Sequence, residues 1–295
     1  MSEPTVLLIG NTARPELAEA RNVLEGLARV IPAADADAAA ALLADEEIAV
    51  DVIVVAQAYP GQLSGEALDR LGRLAPLARV VVLLGSWCEG EVRSGRPIPG
   101  AIRVYWHQWP ARCAQELGRL RRGLCTSWCL PPTAVEEERF LALADQPWPR
   151  REGLIAVHSP SFDMRDWLCR ACRRAGYWTV EADRPIFAVR KSGQPTGPVA
   201  QPPSAVPIPR ITAAIFDATR CRGQELDDLK RWAAAVEPAP VIVLMSFPRV
   251  EDRDRLLAAG AAALLSKPLL LEDLFWQLER AERRLNDQGP MTKEQ

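Results

Sequence analysis

With two histidines in 295 residues, imidazole chemistry must rest on His107 or His158 alone. No apolar run reaches the ~18 residues that a bilayer crossing requires. The stretch from Met1 to Thr5 lacks the basic region and long apolar segment of an export signal. Net charge is also nearly absent, since 36 Lys and Arg face 38 Asp and Glu. That balance gives no electrostatic ground for nucleic acid or anionic lipid as a partner. No Gly-rich phosphate loop and no nucleophile elbow occurs. The seven cysteines are odd in number and scattered, so they do not read as a disulfide framework, and a reducing cytoplasm is the expected home. What the chain does have is ordinary for a soluble globular protein: 48% hydrophobic and 25% charged residues, in a length suited to two domains. Its nine Trp against three Tyr are unusual.

Two stretches repeat one alternation of short apolar runs and amphipathic segments. The first opens on Val6-Leu-Leu-Ile-Gly10, a strand without polar alternation. Leu17, Val23, Leu24, Leu27 and Ala28 then form one apolar helical stripe. Strands are expected at Arg29–Ile31, Val50–Ala56, Val80–Leu84 and Ile102–Trp106, with helices at Asp35–Ala44, Gly65–Leu74 and Ala111–Arg121. The second stretch predicts strands at Leu154–Val157, Trp178–Glu181, Ile211–Phe216, Val241–Met245 and Ala262–Leu265. Its helices are expected at Asp163–Ala175, Glu225–Ala235, Val250–Ala259 and Leu271–Leu285. Near-unbroken Val/Leu/Ile strands separated by helices indicate a parallel sheet covered on both faces. Between Asp183 and Arg210, seven prolines with Gly193 and Gly197 replace the second helix by a loop, with a short ribbon expected at Ile186–Arg190. Gly123–Glu152 reads as a linker carrying one helix at Ala134–Ala144, and its tryptophans suggest that it packs on something.

The second stretch resembles a response-regulator receiver domain. The residues that carry the likeness are Arg174–Ala182 for the end of the first helix and second strand, and Ile211–Asp217 for a third strand ending in aspartate. Pro240–Ser246, Leu256–Ala261 and Leu265-Ser-Lys-Pro268 follow in the family's order. The first stretch aligns with the same template through Asp51–Ala56 and Pro60-Gly61. Ala56 falls where the phosphoacceptor would be, and Trp109-Pro110 replaces the Lys-Pro. The resemblance implies an α/β protein of two flavodoxin-like, doubly wound domains, each a five-stranded parallel sheet with helices on both faces. The expected division is a degenerate pseudo-receiver at 1–122, a linker at 123–152, a receiver-like domain at 153–288 with the Pro-rich loop at 183–210, and a tail at 289–295.

In receivers a carboxylate attacks phosphorus, Mg²⁺ held largely by an acidic pair neutralises charge, a Lys clamps the phosphoryl oxygens and a hydroxyl reports the state. Here Asp217 and Lys267 stand in place, but the acidic pair is replaced by His158-Ser159. The hydroxyl position reads as Met245, with Ser246 one residue later. These residues read as a vestigial site in which Asp217 and Lys267 form an ion pair. Asp217 as a working phosphoacceptor is the alternative, and Mg²⁺ is expected only in that case. His158 as a ligand beside Asp217 is the less favoured reading, since a lone His at a strand end more often bonds backbone.

The cysteines Cys125, Cys129, Cys169 and Cys172 can be drawn as a four-thiolate zinc site, against which Cys169 and Cys172 occupy an apolar helical stripe. No metal is expected. The Gly- and Pro-rich segment Gly85–Gly100, with Val104–Pro110, gathers Trp87, Cys88, Glu89, Glu91, Arg93, Arg96, Tyr105, Trp106, His107 and Trp109 at one sheet edge. Such a group serves equally as a recognition edge that senses a small molecule or protein, or as a plug that fills the vacated cavity and holds the linker. Cys88, His107 and Glu89 or Glu91 can also be drawn as a nucleophile arrangement, which nothing in the sequence fixes. The expectation is therefore a non-catalytic signalling protein that acts through a protein partner. By the resemblance that partner is a histidine kinase, a downstream regulator or a second copy of the chain. No effector unit is expected after Leu285, where Asn286 to Gln295 read as a charged tail.

Overall fold

The computed structural model describes residues 3–45, 48–90, 100–144, 151–182 and 211–287. The predicted ribbon at Ile186–Arg190, the rest of the Pro-rich loop, Glu91, Arg93, Arg96 and the tail lie outside these residues. Contacts divide the chain into two compact units, Met1–Pro147 and Trp148–Gln295. Among the described residues no helix is long and apolar enough to cross a membrane.

The first unit runs β1 (Thr5–Ile9), α1 (Ala18–Glu25), β2 (Arg29–Ala33), α2 (Ala36–Leu43), β3 (Val52–Gln57), α3 (Gly65–Leu74), β4 (Arg79–Leu84), β5 (Ile102–Tyr105) and α4 (Trp109–Arg121). A short turn of 3-10 helix at Ser127–Cys129 and α5 (Glu136–Ala144) complete it. Its five strands are all parallel in the order β2-β1-β3-β4-β5. Local chemistry sets the helix starts. Asp35 accepts a hydrogen bond from the Ala38 amide, and Ser64 accepts one from Ala67, satisfying donors that a first turn leaves unpaired. Helix α4 begins two residues before the expected Ala111, at Trp109-Pro110. Proline suits a first turn because that position needs no amide donor.

The second unit runs β6 (Leu154–His158), α6 (Phe162–Arg174), β7 (Trp178–Ala182), β8 (Ile211–Asp217), α7 (Gln224–Val236), β9 (Val241–Ser246), α8 (Val250–Ala258), β10 (Ala261–Lys267) and α9 (Leu271–Asp287). Its parallel sheet has the order β10-β9-β8-β6-β7, which read from the other edge is the same winding as the first. Side chains alternate between faces along each strand. Ile155, Val157, Ile215, Ile242 and Leu244 therefore pack with Leu168 of α6 and Phe275 of α9 on one face. Phe216, Val241 and Val243 meet Trp232 of α7 and Leu256 of α8 on the other. Both faces are dry, which is why the strands read as apolar runs.

One backbone position before β6 admits only glycine. Gly153 has φ +136°, and a Cβ there would lie 2.5 Å from Thr212 Oγ1 and 3.3 Å from Thr212 Cβ. Gly153→Ala combines left-handed strain with a clash at the start of β8. It is expected to destabilise the second unit by at least about 2 kcal/mol, measurable by urea denaturation.

Candidate functional site

Open parallel sheets of this winding place their sites at the carboxyl ends of the strands. In the second unit that edge is set by β6 and β8. Their register puts His158 beside Phe216, so Ser159, just past the end of β6, comes next to Asp217, the last residue of β8. Asp217 is 4% exposed. Its Oδ1 accepts a hydrogen bond from Lys267 Nζ at 2.5 Å, and its Oδ2 accepts one from Ser159 Oγ at 2.6 Å. Lys267 also donates to the Ala218 carbonyl at 3.2 Å. The carboxylate is thus a buried ion pair with both oxygens engaged, which is how a buried charge is tolerated.

The other residues assigned to this site diverge. His158 turns its ring into the aromatic core, with ring centres 4.8 Å from Phe216 and 5.6 Å from Trp232. Ser246 is exposed and stands opposite Lys267 in the β9–β10 register, while Met245 is buried against the Trp232 face. The hydroxyl at Asp217 therefore comes from Ser159, a link that requires the β6–β8 register to be seen. Among the described residues no group of three or more His, Cys, Asp or Glu side chains is placed to hold a metal ion. The Mg²⁺ that the receiver resemblance implies does not fit here. One hydroxyl and one aromatic-packed imidazole stand where the family's acidic oxygens would be, and Mg²⁺ prefers oxygen ligands bearing charge.

The first unit has no carboxylate at the corresponding place. Ala56 sits against Gly10, whose absent Cβ would come within 3.0 Å of the Ala56 carbonyl oxygen. The aromatic edge expected there divides in two. Cys88, Trp106, His107 and Trp109 are buried, and Tyr105 stacks on the His107 ring at 5.7 Å. His107 Nε2 lies 3.3 Å from Glu89 Oε1, while the Cys88 thiol donates to the Gln57 carbonyl at 3.5 Å. Of the nucleophile arrangement drawn from the sequence, the Cys88 sulfur is thus directed at Gln57, whose side-chain amide also lies 3.9 Å from it. Trp109 lies on α4, where its indole meets Trp128 at 6.3 Å and holds the 3-10 turn of the following segment. Trp87 alone of these tryptophans remains outside, 68% exposed. It lies 6.1 Å from the Tyr59 ring, which the Arg14 guanidinium covers at 4.6 Å. Tyr59 and Arg14 come from different loops, so no sequence spacing pointed to them. Cys169 and Cys172 are buried in the core of the second unit, and Cys125 and Cys129 belong to the first.

No protein-family model matches the chain, and no curated protein matches it. Solved structures do. The receiver domain of Francisella response regulator 1452 is 15% identical over 45% of this chain and 98% of its own, with a TM-score of 0.35. The Vibrio cholerae chemotaxis protein CheY4 is 20% identical over 45% of this chain and 99% of its own, with a TM-score of 0.33. A C-terminal part of Escherichia coli RcsC, containing a linker region and a phosphoreceiver domain, aligns with 98% of this chain and 96% of its own at 16% identity and a TM-score of 0.36. Identities this low concern the fold alone, and the strand order found in both sheets carries the fold without them. Each of the two units is receiver-like in fold.

Proposed function

We propose that this chain is a non-catalytic signalling protein of tandem receiver-like build, working through protein–protein contact, in which Asp217 is a buried anchor and not a phosphoacceptor. The observation that carries the reading is the Ser159 hydroxyl on Asp217 Oδ2. It occupies the side of the carboxylate that a metal ion would have to share. Phosphoryl transfer depends on positioning and charge neutralisation, and Lys267 is the one cation placed on this carboxylate in the described site. The filled edge of the first unit supports contact with a protein over uptake of a small molecule. The exposed Trp87 and Tyr59 then form the partner-facing part of that edge, as aromatic rings commonly do at interfaces.

The test uses Trp232, whose ring packs on Phe216 one residue before Asp217. Adding Mg²⁺ with beryllofluoride, a phosphoryl mimic, is expected to leave the tryptophan emission of the full chain unchanged. A saturable change that Asp217→Asn abolishes would make Asp217 a working acceptor instead.

A further inference from the structure

The amino-terminal edge of the first sheet, opposite the edge just described, holds a second group of reactive side chains. A cavity of about 320 Å³ opens there, and Asp51, Arg79, Leu120, Leu124, Cys125 and Cys129 are among its lining residues. Arg79 Nη2 donates to the Cys129 sulfur at 3.4 Å, and Thr126 Oγ1 lies 3.4 Å from the same sulfur. Cys129 is half-buried and Cys125 is exposed. We propose that Cys129 is an oxidant-sensitive thiol and that Cys125, lining the same cavity, resolves its oxidised form to a reversible disulfide.

The chemistry follows from these neighbours. Burial alone would push the Cys129 thiol up, but the Thr126 hydrogen bonds and the Arg79 charge together hold it below the ordinary thiol value. The other shifted cysteines go the opposite way: burial pushes Cys172 and Cys221 up to about 12, and raises Cys113 and Cys169 as well. The thiolate is the nucleophile toward peroxides, so Cys129 is the thiol set apart for this reaction. Its sulfur attacks one oxygen of a hydroperoxide. The O–O bond breaks, the leaving oxygen departs with the electron pair and takes up a proton, and Cys129 becomes a sulfenic acid. The Cys125 thiol then loses its proton and attacks the Cys129 sulfur. The S–O bond breaks, hydroxide leaves to form water, and the disulfide closes. Two thiols have lost two electrons and two protons, and the peroxide has been reduced to water or to an alcohol and water.

Two features favour the second step. Cys125 stands in the irregular stretch before the 3-10 turn, so its side chain can swing without breaking a helix or strand. The turn itself spans only Ser127–Cys129, so only three residues separate the two cysteines. The consequence reaches the fold, because Cys129 directly follows Trp128, the residue stacked on Trp109. Oxidation removes the sulfur's contact with Arg79 at the clasp that holds this segment on the first unit.

The test treats the reduced full-length chain with hydrogen peroxide and follows the tryptic peptide Gly123–Arg139, which contains both cysteines. The wild-type peptide is expected to lose two hydrogens, about 2 Da, and to regain them with dithiothreitol. In Cys125→Ser, dimedone should trap a sulfenic acid on Cys129. In Cys129→Ser, Cys125 should stay reduced at the same dose. Arg79→Gln, checked for folding by circular dichroism, should slow the reaction about tenfold, with Arg79→Lys in between. An unchanged rate in Arg79→Gln would overturn the proposal. So would oxidation of Cys125 or a core cysteine as fast as Cys129, or a wild-type sulfenic acid that never passes to the disulfide.

Discussion

Lys267→Met is expected to destabilise the second unit by about 3 kcal/mol, lowering its melting temperature by roughly 10 °C. The reasoning starts from burial. The Asp217 side chain is 5% exposed and that of Lys267 19%, so neither charge is well hydrated in the folded state. Removing the ammonium leaves the carboxylate with the Ser159 hydroxyl as its remaining described donor, and an uncompensated buried charge is far more costly than a missing contact. Lys267 also bonds the Ala218 carbonyl, so the substitution frees that acceptor too. Asp217→Asn should cost less, about 1 kcal/mol, because the amide oxygen still accepts from Ser159 and the Lys267 ammonium keeps its bond to the Ala218 carbonyl. The double variant Asp217→Asn with Lys267→Met should then recover much of the loss, since it removes both charges together. Thermal melts of the four proteins measure this directly. Additive effects would mean that the two groups do not act as a pair.

Trp128→Ala should cost the first unit about 3–5 kcal/mol, comparable to the largest core truncations. Trp128 is 2% exposed and stacks on the fully buried Trp109. Around it the segment is fixed by polar bonds that depend on its position. Ser127 Oγ donates to the buried Glu116 Oε1 at 2.8 Å, the Trp128 amide reaches Glu116 Oε2 at 3.3 Å, and Arg139 donates to the Ser127 carbonyl at 2.7 Å. If the indole is lost, Glu116 is expected to become a buried carboxylate with fewer donors, which adds to the cavity cost. Limited trypsin digestion should accordingly cut sooner at Arg122 and Arg139. Trp87→Ala provides the contrast: at 68% exposure its effect on stability should stay within about 0.5 kcal/mol. A Trp128→Ala protein as stable as the wild type would mean that the segment is not held by this stack.

Much of this fold was legible from residues alone, for a definite reason. A strand buried on both faces must be apolar throughout, so Val6–Ile9 and Val52–Val55 could be read as strands before any partner was known. The helix expected at Gly65–Leu74 has those bounds, with Ser64 capping its first turn, whereas the helix expected from Ala111 starts at Trp109-Pro110, since proline is compatible with a first turn. Asp217 and Lys267 emerged from their resemblance to the receiver pattern. The Ser159 bond did not, because it depends on the register between two strands 58 residues apart. Burial of the aromatic edge was equally hidden, since Trp106 in a core and Trp106 in a binding site have the same sequence signature. The Arg79–Cys129 contact, 50 residues apart, arises from tertiary packing alone.

The most direct test of the central claim is the intact mass of the full-length chain after incubation with acetyl phosphate and Mg²⁺ at neutral pH, quenched in acid to preserve any acyl phosphate. With Ser159 and Lys267 holding both oxygens of Asp217, and no group of three or more His, Cys, Asp or Glu placed to hold a metal ion among the described residues, the mass should stay that of the unmodified protein. Gain of one phosphoryl group in the wild type, absent from Asp217→Asn, would contradict it.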